Sequence, residues 1–200
     1  MFISGAVEGA SDEPVFRRIV EQRGGVVHRL QVQNGKAGLK RALPGYNAAA
    51  RHSPWLVLVD LDRDFPCPGA LVADWLPAPS QYMCLRVVVR QIEAWLLADA
   101  DRFASFFAVR RAVIPADPDE LEDSKQVVLD LVATSRRSGI RQDMVPRTGS
   151  GRRVGPAYTS QLIEFVTNPG EGWRLDEAMR HSRSLQKCIA RLDELIAAQS

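Results

Sequence analysis

WLVLVDLD at residues 55–62 is the segment that says most about the fold class. Its first five residues are apolar, three of them are aromatic or β-branched, and Pro54 precedes them. Such a run predicts a strand that is buried on both faces. Strands of that kind occur in parallel sheets that helices cover on both sides. We therefore expect residues 55–59 to form an inner strand of an α/β domain.

Apolar runs alternate with helical patterns on both sides of this strand. FISGAV at 2–7, GVVHRLQV at 25–32 and MCLRVVV at 83–89 predict three more strands. A helix is expected in each interval, and the one at 35–51 should break or kink at Pro44. The alternation predicts an α/β fold with a parallel four-stranded sheet, right-handed crossovers and flanking helices.

The pattern becomes purely helical after residue 90. Helices are expected at 92–107, 119–135, 157–167 and 182–198. The segment at 136–156 is rich in Arg, Gly and Ser and predicts a mobile loop. We assign residues 1–90 to the α/β core. Residues 91–200 form an all-helical C-terminal extension that we expect to pack on the core as one compact unit.

Composition excludes some classes of protein. The 26 basic and 24 acidic residues nearly cancel, so nucleic-acid binding would need a local basic patch. Three widely spaced cysteines, Cys67, Cys84 and Cys188, predict buried reduced thiols and no disulfide framework or structural zinc site. No apolar run has membrane-spanning length, and MFISGAVEG is not a positively charged leader. We expect a cytoplasmic protein without membrane contact.

Carboxylates follow the first and third predicted strands. Glu8 follows the first, Asp60 and Asp62 follow the third, and Asp64 lies two residues further on. Ligands bind beyond the carboxyl ends of parallel strands. Strand alternation sends Asp60 and Asp62 to one side, with Asp64 if the backbone stays extended. Carboxylates this close repel unless a cation such as Mg²⁺ or Mn²⁺ joins them, so all four are candidate metal ligands. Alternatively, the aspartates only cap a turn.

The same motifs carry a resemblance to a known fold. VEG at 7–9 and LVDLD at 58–62 are similar to the Toprim signature, a Glu after the first strand and Asp-x-Asp after the third. RQIEAWLLAD at 90–99, SK at 124–125 and HSRSLQKCIARL at 181–192 resemble a Toprim-like family of unknown function related to OLD-type nucleases and RloB-like proteins. This similarity extends over almost the whole chain.

The resemblance implies an activity and partners. It implies a Mg²⁺- or Mn²⁺-dependent nuclease that cuts phosphodiester bonds in DNA or RNA, with Glu8, Asp60 and Asp62 as its catalytic acids. It also makes an ABC-type ATPase partner and a role in phage defence expectations. A homodimer is a further assembly that we consider.

Further candidates lie outside the acidic motif. Glu93 stands in the apolar segment IEAWLLA, where a buried carboxylate needs a partner or a metal, so it is either catalytic or paired with Arg86 or Arg90. The side chains expected to contact nucleic acid are Lys36, Arg63, Arg90, Lys125, Arg152 and Arg153. Lys36 could instead be solvent-exposed, and Lys125 could neutralise the acidic DELED turn. The arginines of 136–153 could equally form a solvated loop.

Two other interpretations stay open. LVDLDRD also resembles the nucleophilic Asp-x-Asp strand of haloacid dehalogenase phosphatases, although that strand normally opens the fold and here it comes third. A non-catalytic Toprim-like subunit that binds nucleic acid or regulates an ABC-type ATPase is the alternative from a different class.

Overall fold

A computed structural model describes residues 1–198 and divides the chain into two compact units. The first unit comprises Met1–Arg90 together with the C-terminal segment from Ser184 onward, and the second comprises Gln91–Arg183. The C-terminal helix is thus grouped with the α/β unit, whereas the sequence had assigned it to the extension. Residues 199 and 200, the end of the predicted extension, lie outside the described residues.

The first unit contains a parallel sheet of four strands. They are β1 (Phe2–Val7), β2 (Val26–Val32), β3 (Trp55–Asp60) and β4 (Met83–Val88), in the order β2-β1-β3-β4. The predicted α/β class with a parallel four-stranded sheet and flanking helices is confirmed. The order makes β1 and β3 direct neighbours, with Gly5 opposite Leu56 and Ala6 opposite Val57.

The described residues contain ten α-helices and two short 3-10 helices. The α-helices are α1 (Asp12–Gln22), α2 (Lys36–Ala49), α3 (Pro68–Trp75), α4 (Ile92–Leu97), α5 (Ala100–Phe107), α6 (Ser124–Ala133), α7 (Ser138–Met144), α8 (Tyr158–Thr167), α9 (Leu175–His181) and α10 (Arg183–Ala197). The 3-10 helices are Arg111–Val113 and Pro118–Glu120.

Both faces of β3 are buried, as its sequence predicts. On one face, leucines from α2 and α3 pack with alternate residues of β3 and β4 in a single apolar cluster. On the other face, α1 lies so close that a Cβ at Gly5 would be 2.0 Å from the Phe16 ring. Glycine at this position therefore lets the helix approach the sheet.

Helix α2 runs without a break through Pro44, so the expected break is wrong. Proline removes one N–H donor from a helix, but packing can outweigh that loss. Leu39 and Leu43 are buried in the apolar cluster, and the Tyr46 ring stacks on Trp55 with centroids 4.7 Å apart. These contacts hold the two sides of Pro44 against the sheet.

In the second unit, two helices have other bounds than the sequence predicts. The segment expected as one helix at 92–107 forms α4 and α5, because Asp99 caps the second helix through Arg102 N. Asp99 is fully buried and also forms an ion pair with Arg174, in which Arg174 Nη2 lies 2.6 Å from Asp99 Oδ1. The expected helix at 119–135 begins only at Ser124, after Asp123 caps Gln126 N.

The segment at 136–156 is not a loop throughout, so that prediction is wrong for its first half. Ser138–Met144 forms α7. Ile140 and Met144 lie four residues apart on one side of this helix, and both are buried. We call residues 145–154 the arginine loop. Its ends are tied, since Gly155 N donates to Met144 O and Ala157 N donates to Asp143 O, both at 2.8 Å.

The cysteines are all free, and two of the three are buried as predicted. The prediction is wrong for Cys67, which is exposed because it lies in the loop before α3. Burial raises the pKa of Cys84 to about 11. Among residues 1–198, none of the helices has the length and apolar character needed to cross a membrane.

Candidate functional site

The carboxyl ends of β1 and β3 form the crevice where an open α/β sheet binds ligands. After β1 the chain passes to β2 on one side, and it then returns to β3 on the other side of β1. Loops that leave two neighbouring strands in opposite directions open a crevice between them. Glu8 directly follows β1, and Asp60 is the last residue of β3. Two of the predicted acids therefore lie at this point.

Glu8 is held by the elements on either side of it. Its Oε1 accepts a hydrogen bond of 2.8 Å from the backbone N–H of Asp60. Its backbone oxygen accepts a bond of 3.1 Å from Gly35 N, immediately before α2. Because side chain and backbone are both fixed, the carboxylate has a defined position across the crevice.

The environment of Glu8 raises its pKa from 4.5 to about 7. Burial is the largest cause, and the negative charges of Asp62 and Asp12 add to it. The hydrogen bond from Asp60 N–H and the positive charge of Lys36 act in the opposite direction. The carboxyl group can thus hold a proton near neutral pH, and a nearby cation would favour its charged form.

Asp62 does not continue the strand. The backbone has φ 49° at Asp62, a left-handed conformation that aspartate tolerates better than most residues. The extended backbone on which the alternation of Asp60 and Asp62 depends does not reach Asp62, because β3 ends at Asp60. A common side for the two carboxylates stays a prediction. The turn is held by Arg90, whose oxygen accepts from Asp62 N at 3.0 Å and whose Nη1 donates to Asp62 O at 2.9 Å.

Lys36 lies among the oxygens of this turn. Its Nζ is 3.1 Å from Leu61 O, 3.2 Å from Asp62 Oδ2 and 3.0 Å from Asp64 Oδ2. Only 16% of the side chain is exposed, so the solvent-exposed alternative is wrong. Burial lowers the pKa of Lys36, but the bonds to Asp64 and Asp62 outweigh burial and raise it overall. Contact between Lys36 and a phosphate stays a prediction.

The chemistry of the donor atoms fits a hard dication. Mg²⁺ and Mn²⁺ prefer carboxylate, carbonyl and water oxygens, and the crevice offers carboxylates and the Leu61 carbonyl. Within residues 1–198, no group of three or more His, Cys, Asp and Glu side chains is placed to hold a metal ion. The candidate ligands remain Glu8, Asp60, Asp62 and Asp64.

The other predicted contacts to nucleic acid divide between the two units. In the first unit, Arg63 is exposed in the turn between Asp62 and Asp64, while Arg90 supports that turn. In the second unit, Arg152 and Arg153 are exposed in the arginine loop. The chain has no acidic residue from 144 to 163, so the loop is a local positive region of the kind that the near-neutral composition requires.

Glu93 in the second unit has partners that the sequence did not indicate. It is 1% exposed, and Tyr158 OH donates to its Oε1 at 3.0 Å. Lys125 Nζ lies 3.6 Å from the same oxygen, so the predicted residues Glu93 and Lys125 are neighbours. Within the described part of the chain, Oε2 is buried without a hydrogen-bond partner. Burial and the negative charge of Glu93 both raise the pKa of Tyr158.

The partners of Glu93 differ from those that the sequence suggested. Arg86 and Arg90 were the candidates from the sequence, but the partners in the structure are Lys125 and Tyr158. Tyr158 lies 65 residues further along the chain and belongs to no motif, so a single sequence carries no signal for it. Lys125 contacts the buried carboxylate of Glu93, and its expected role of neutralising the DELED turn stays a prediction.

Fold and site together define an α/β protein with a parallel sheet and carboxylates where its strand order changes direction. Comparison with models of protein families, with curated proteins and with solved structures returns no match. The Toprim resemblance therefore rests on the motifs quoted above and stays a prediction.

Proposed function

We propose that the chain is a metal-dependent phosphodiesterase that cuts DNA or RNA, with Glu8, Asp60 and Asp62 as its central acids. The observation that carries this proposal is the hydrogen bond between the Glu8 carboxylate and Asp60 N–H, across the crevice where α/β sheets bind ligands. Asp64 is a further candidate ligand in the same turn. The motif resemblance to Toprim nucleases points to the same chemistry.

The acids have two kinds of task in this proposal. Mg²⁺ or Mn²⁺, when bound, would polarise the scissile phosphate and activate water. Glu8 has its Oε1 occupied by Asp60 N–H, which leaves Oε2 to face a ligand or to exchange a proton. A pKa of about 7 suits proton exchange at neutral pH. Asp60 and Asp62 supply negative charge that draws a dication into the crevice.

The arginine loop favours the proposal that the substrate is a polymer rich in phosphate groups. It presents Arg147, Arg152 and Arg153 to solvent, and both of its ends are tied by backbone hydrogen bonds. A loop whose ends are fixed loses less backbone conformational freedom on binding than an open one. Contacts from arginine to backbone phosphates carry little sequence preference. We therefore propose binding through the sugar-phosphate backbone.

A second candidate function is a non-catalytic subunit that binds nucleic acid or regulates an ABC-type ATPase. The observation in its favour is Lys36, whose ammonium already balances the charges of Asp62 and Asp64. Carboxylates paired in this way could serve structure alone. The ATPase partner and the role in phage defence stay predictions from the motif resemblance.

A cleavage assay separates the two candidates. Plasmid, single-stranded DNA and tRNA are each incubated with the protein and Mn²⁺, and the protein is wild type, Asp60→Asn or the control Asp74→Asn. Asp74 is an exposed aspartate of the same unit that pairs with Lys40. We expect metal-dependent cleavage that falls by about 100-fold or more in Asp60→Asn, by loss of a ligand charge, and not in Asp74→Asn. Binding of each polymer without cleavage by any variant would instead favour the non-catalytic subunit.

A further inference from the structure

Lys36 contacts three oxygens of a single turn. Its ammonium lies within 3.2 Å of Leu61 O, Asp62 Oδ2 and Asp64 Oδ2. Two of these oxygens belong to candidate metal ligands, and the third is a carbonyl, which is also a ligand type for hard dications. A resident cation thus occupies part of the proposed site.

An ammonium group and a dication compete for these oxygens, because both are attracted by the same lone pairs. Mg²⁺ binds oxygen at about 2 Å and demands near-octahedral geometry, so its ligands must turn toward it. Two positive charges a few ångströms apart repel one another strongly when they are partly shielded from water. Entry of a dication at these oxygens would therefore favour departure of Lys36 from Asp62 and Asp64.

The backbone around Lys36 favours movement of the side chain over movement of the helix. Lys36 is the first residue of α2, and Gly35 before it has φ 92° and donates to Glu8 O. Further along α2, Leu39 and Leu43 are buried in the core. The lysine stem is long and flexible, whereas its Cα is fixed. Rotation of the stem can move the ammonium without disturbing the fold.

We propose that Lys36 is an exchangeable internal counter-ion, which holds the Asp62–Asp64 turn together and releases both carboxylates when a dication enters. The inference rests on the proposed metal site and adds a step to its use. Once released, the ammonium is available to an anionic group such as a substrate phosphate. Metal loading and phosphate contact are then coupled through one side chain.

Isothermal titration with MgCl₂ and MnCl₂ tests the exchange on the full chain, with wild type, Lys36→Met and the control Lys40→Met. Lys40 is an exposed lysine on the same helix, and it pairs with Asp74 outside the site. We expect Lys36→Met to bind the dication about tenfold or more tightly than wild type, because a competing positive charge is gone. Lys40→Met should match wild type.

Labelling of lysines in the wild-type protein tests the same idea without a variant. Reductive methylation is followed by mass spectrometry with and without MgCl₂. Lys36 should be protected in the absence of metal and become reactive with metal, while Lys40 should react equally in both.

The outcomes separate the exchange from the proposed function. Wild type that binds metal, with Lys36→Met equal or weaker and labelling of Lys36 unchanged, would overturn the exchange and leave the metal site in place. Absence of metal binding by both proteins would overturn the metal site and the exchange together. Metal binding by Lys36→Met and not by wild type would also support the exchange, because the ammonium would then keep the dication out of the wild-type site.

Discussion

The Glu8 carboxylate accepts a hydrogen bond of 2.8 Å from the backbone N–H of Asp60, which joins the ends of two neighbouring strands. The donor belongs to the backbone, so substitutions of the Asp60 side chain leave it in place. The acceptor belongs to the side chain, so Glu8→Gln keeps an oxygen in the same position and removes the charge. Substitutions of Glu8 and Asp60 can therefore test the role of each negative charge with little change in geometry.

Glu8→Gln should abolish stabilisation by metal. In wild type, MgCl₂ or MnCl₂ should raise the melting temperature, because a ligand that binds only the folded state stabilises it. Glu8→Gln and Asp60→Ala should show no such rise, since each loses a ligand charge. Asp74→Asn is the matched control and should respond as wild type does. A rise of equal size in Glu8→Gln would remove Glu8 from the metal site.

In the absence of metal, the dependence of the free energy of unfolding on pH should reveal the raised pKa of Glu8. Its pKa is about 7 in the folded protein, against an ordinary value of 4.5. Below 4.5 the group is protonated in both states. As pH rises from 4.5 to 7 the unfolded chain ionises first, so the free energy of unfolding falls.

Urea denaturation in EDTA at several pH values measures this fall. We expect Glu8→Gln to gain stability relative to wild type across the window from 4.5 to 7, and the difference to level off above it. Curves for the two proteins that stay parallel through this range would show that Glu8 has an ordinary pKa.

Tyr158→Phe should destabilise the second unit. The substitution removes the hydroxyl that donates to the buried Glu93 carboxylate. We expect a loss of about 1–3 kcal/mol, the usual effect of leaving a buried polar group without its donor. Tyr82→Phe, at a partly exposed tyrosine of the first unit, should change stability by less than about 0.5 kcal/mol. Chemical denaturation measures both.

The double variant Glu93→Gln with Tyr158→Phe shows whether the two side chains act together. If they do, the combined loss should be smaller than the sum of the single losses. Additive losses would contradict direct coupling between them.

The arginine loop should control nucleic-acid affinity and its dependence on salt. Arg152→Ala with Arg153→Ala removes two exposed positive charges, so affinity should fall and the slope of log affinity against log salt should decrease by roughly 1–2. Arg110→Ala with Arg111→Ala is a comparison pair of adjacent, exposed arginines in the same unit, of which Arg111 is paired with Asp101. Fluorescence anisotropy at several salt concentrations distinguishes them. An equal effect of both pairs would mean that the loop has no special role.

The sheet and its acids are the parts that a single sequence predicts best. Residues 55–59 are continuously apolar because β3 is covered on both faces, and this makes the strand visible in the sequence. Glu8 and Asp60 become candidates because parallel strands end at one edge, which is a rule of topology. Both predictions depend on local patterns and on general rules of the fold class.

The contacts that complete the site could not be predicted in this way. Lys36 reaches Asp62 and Asp64 from more than 20 residues away, and the turn that presents them depends on a left-handed residue. The Arg- and Gly-rich composition of 136–156 led to the wrong prediction of a loop, because it conceals the buried pair Ile140 and Met144 of α7. Such features depend on tertiary packing, which can override local propensity.

In the proposed function, the crevice between β1 and β3 holds a dication. Anomalous diffraction from crystals grown with MnCl₂ would locate it. We predict a manganese peak about 2 Å from carboxylate oxygens of Glu8 and of at least one of Asp60 and Asp62, with Lys36 turned away. Crystals with manganese bound elsewhere, or with Lys36 still on Asp62 and Asp64 and the crevice empty of manganese, would contradict it.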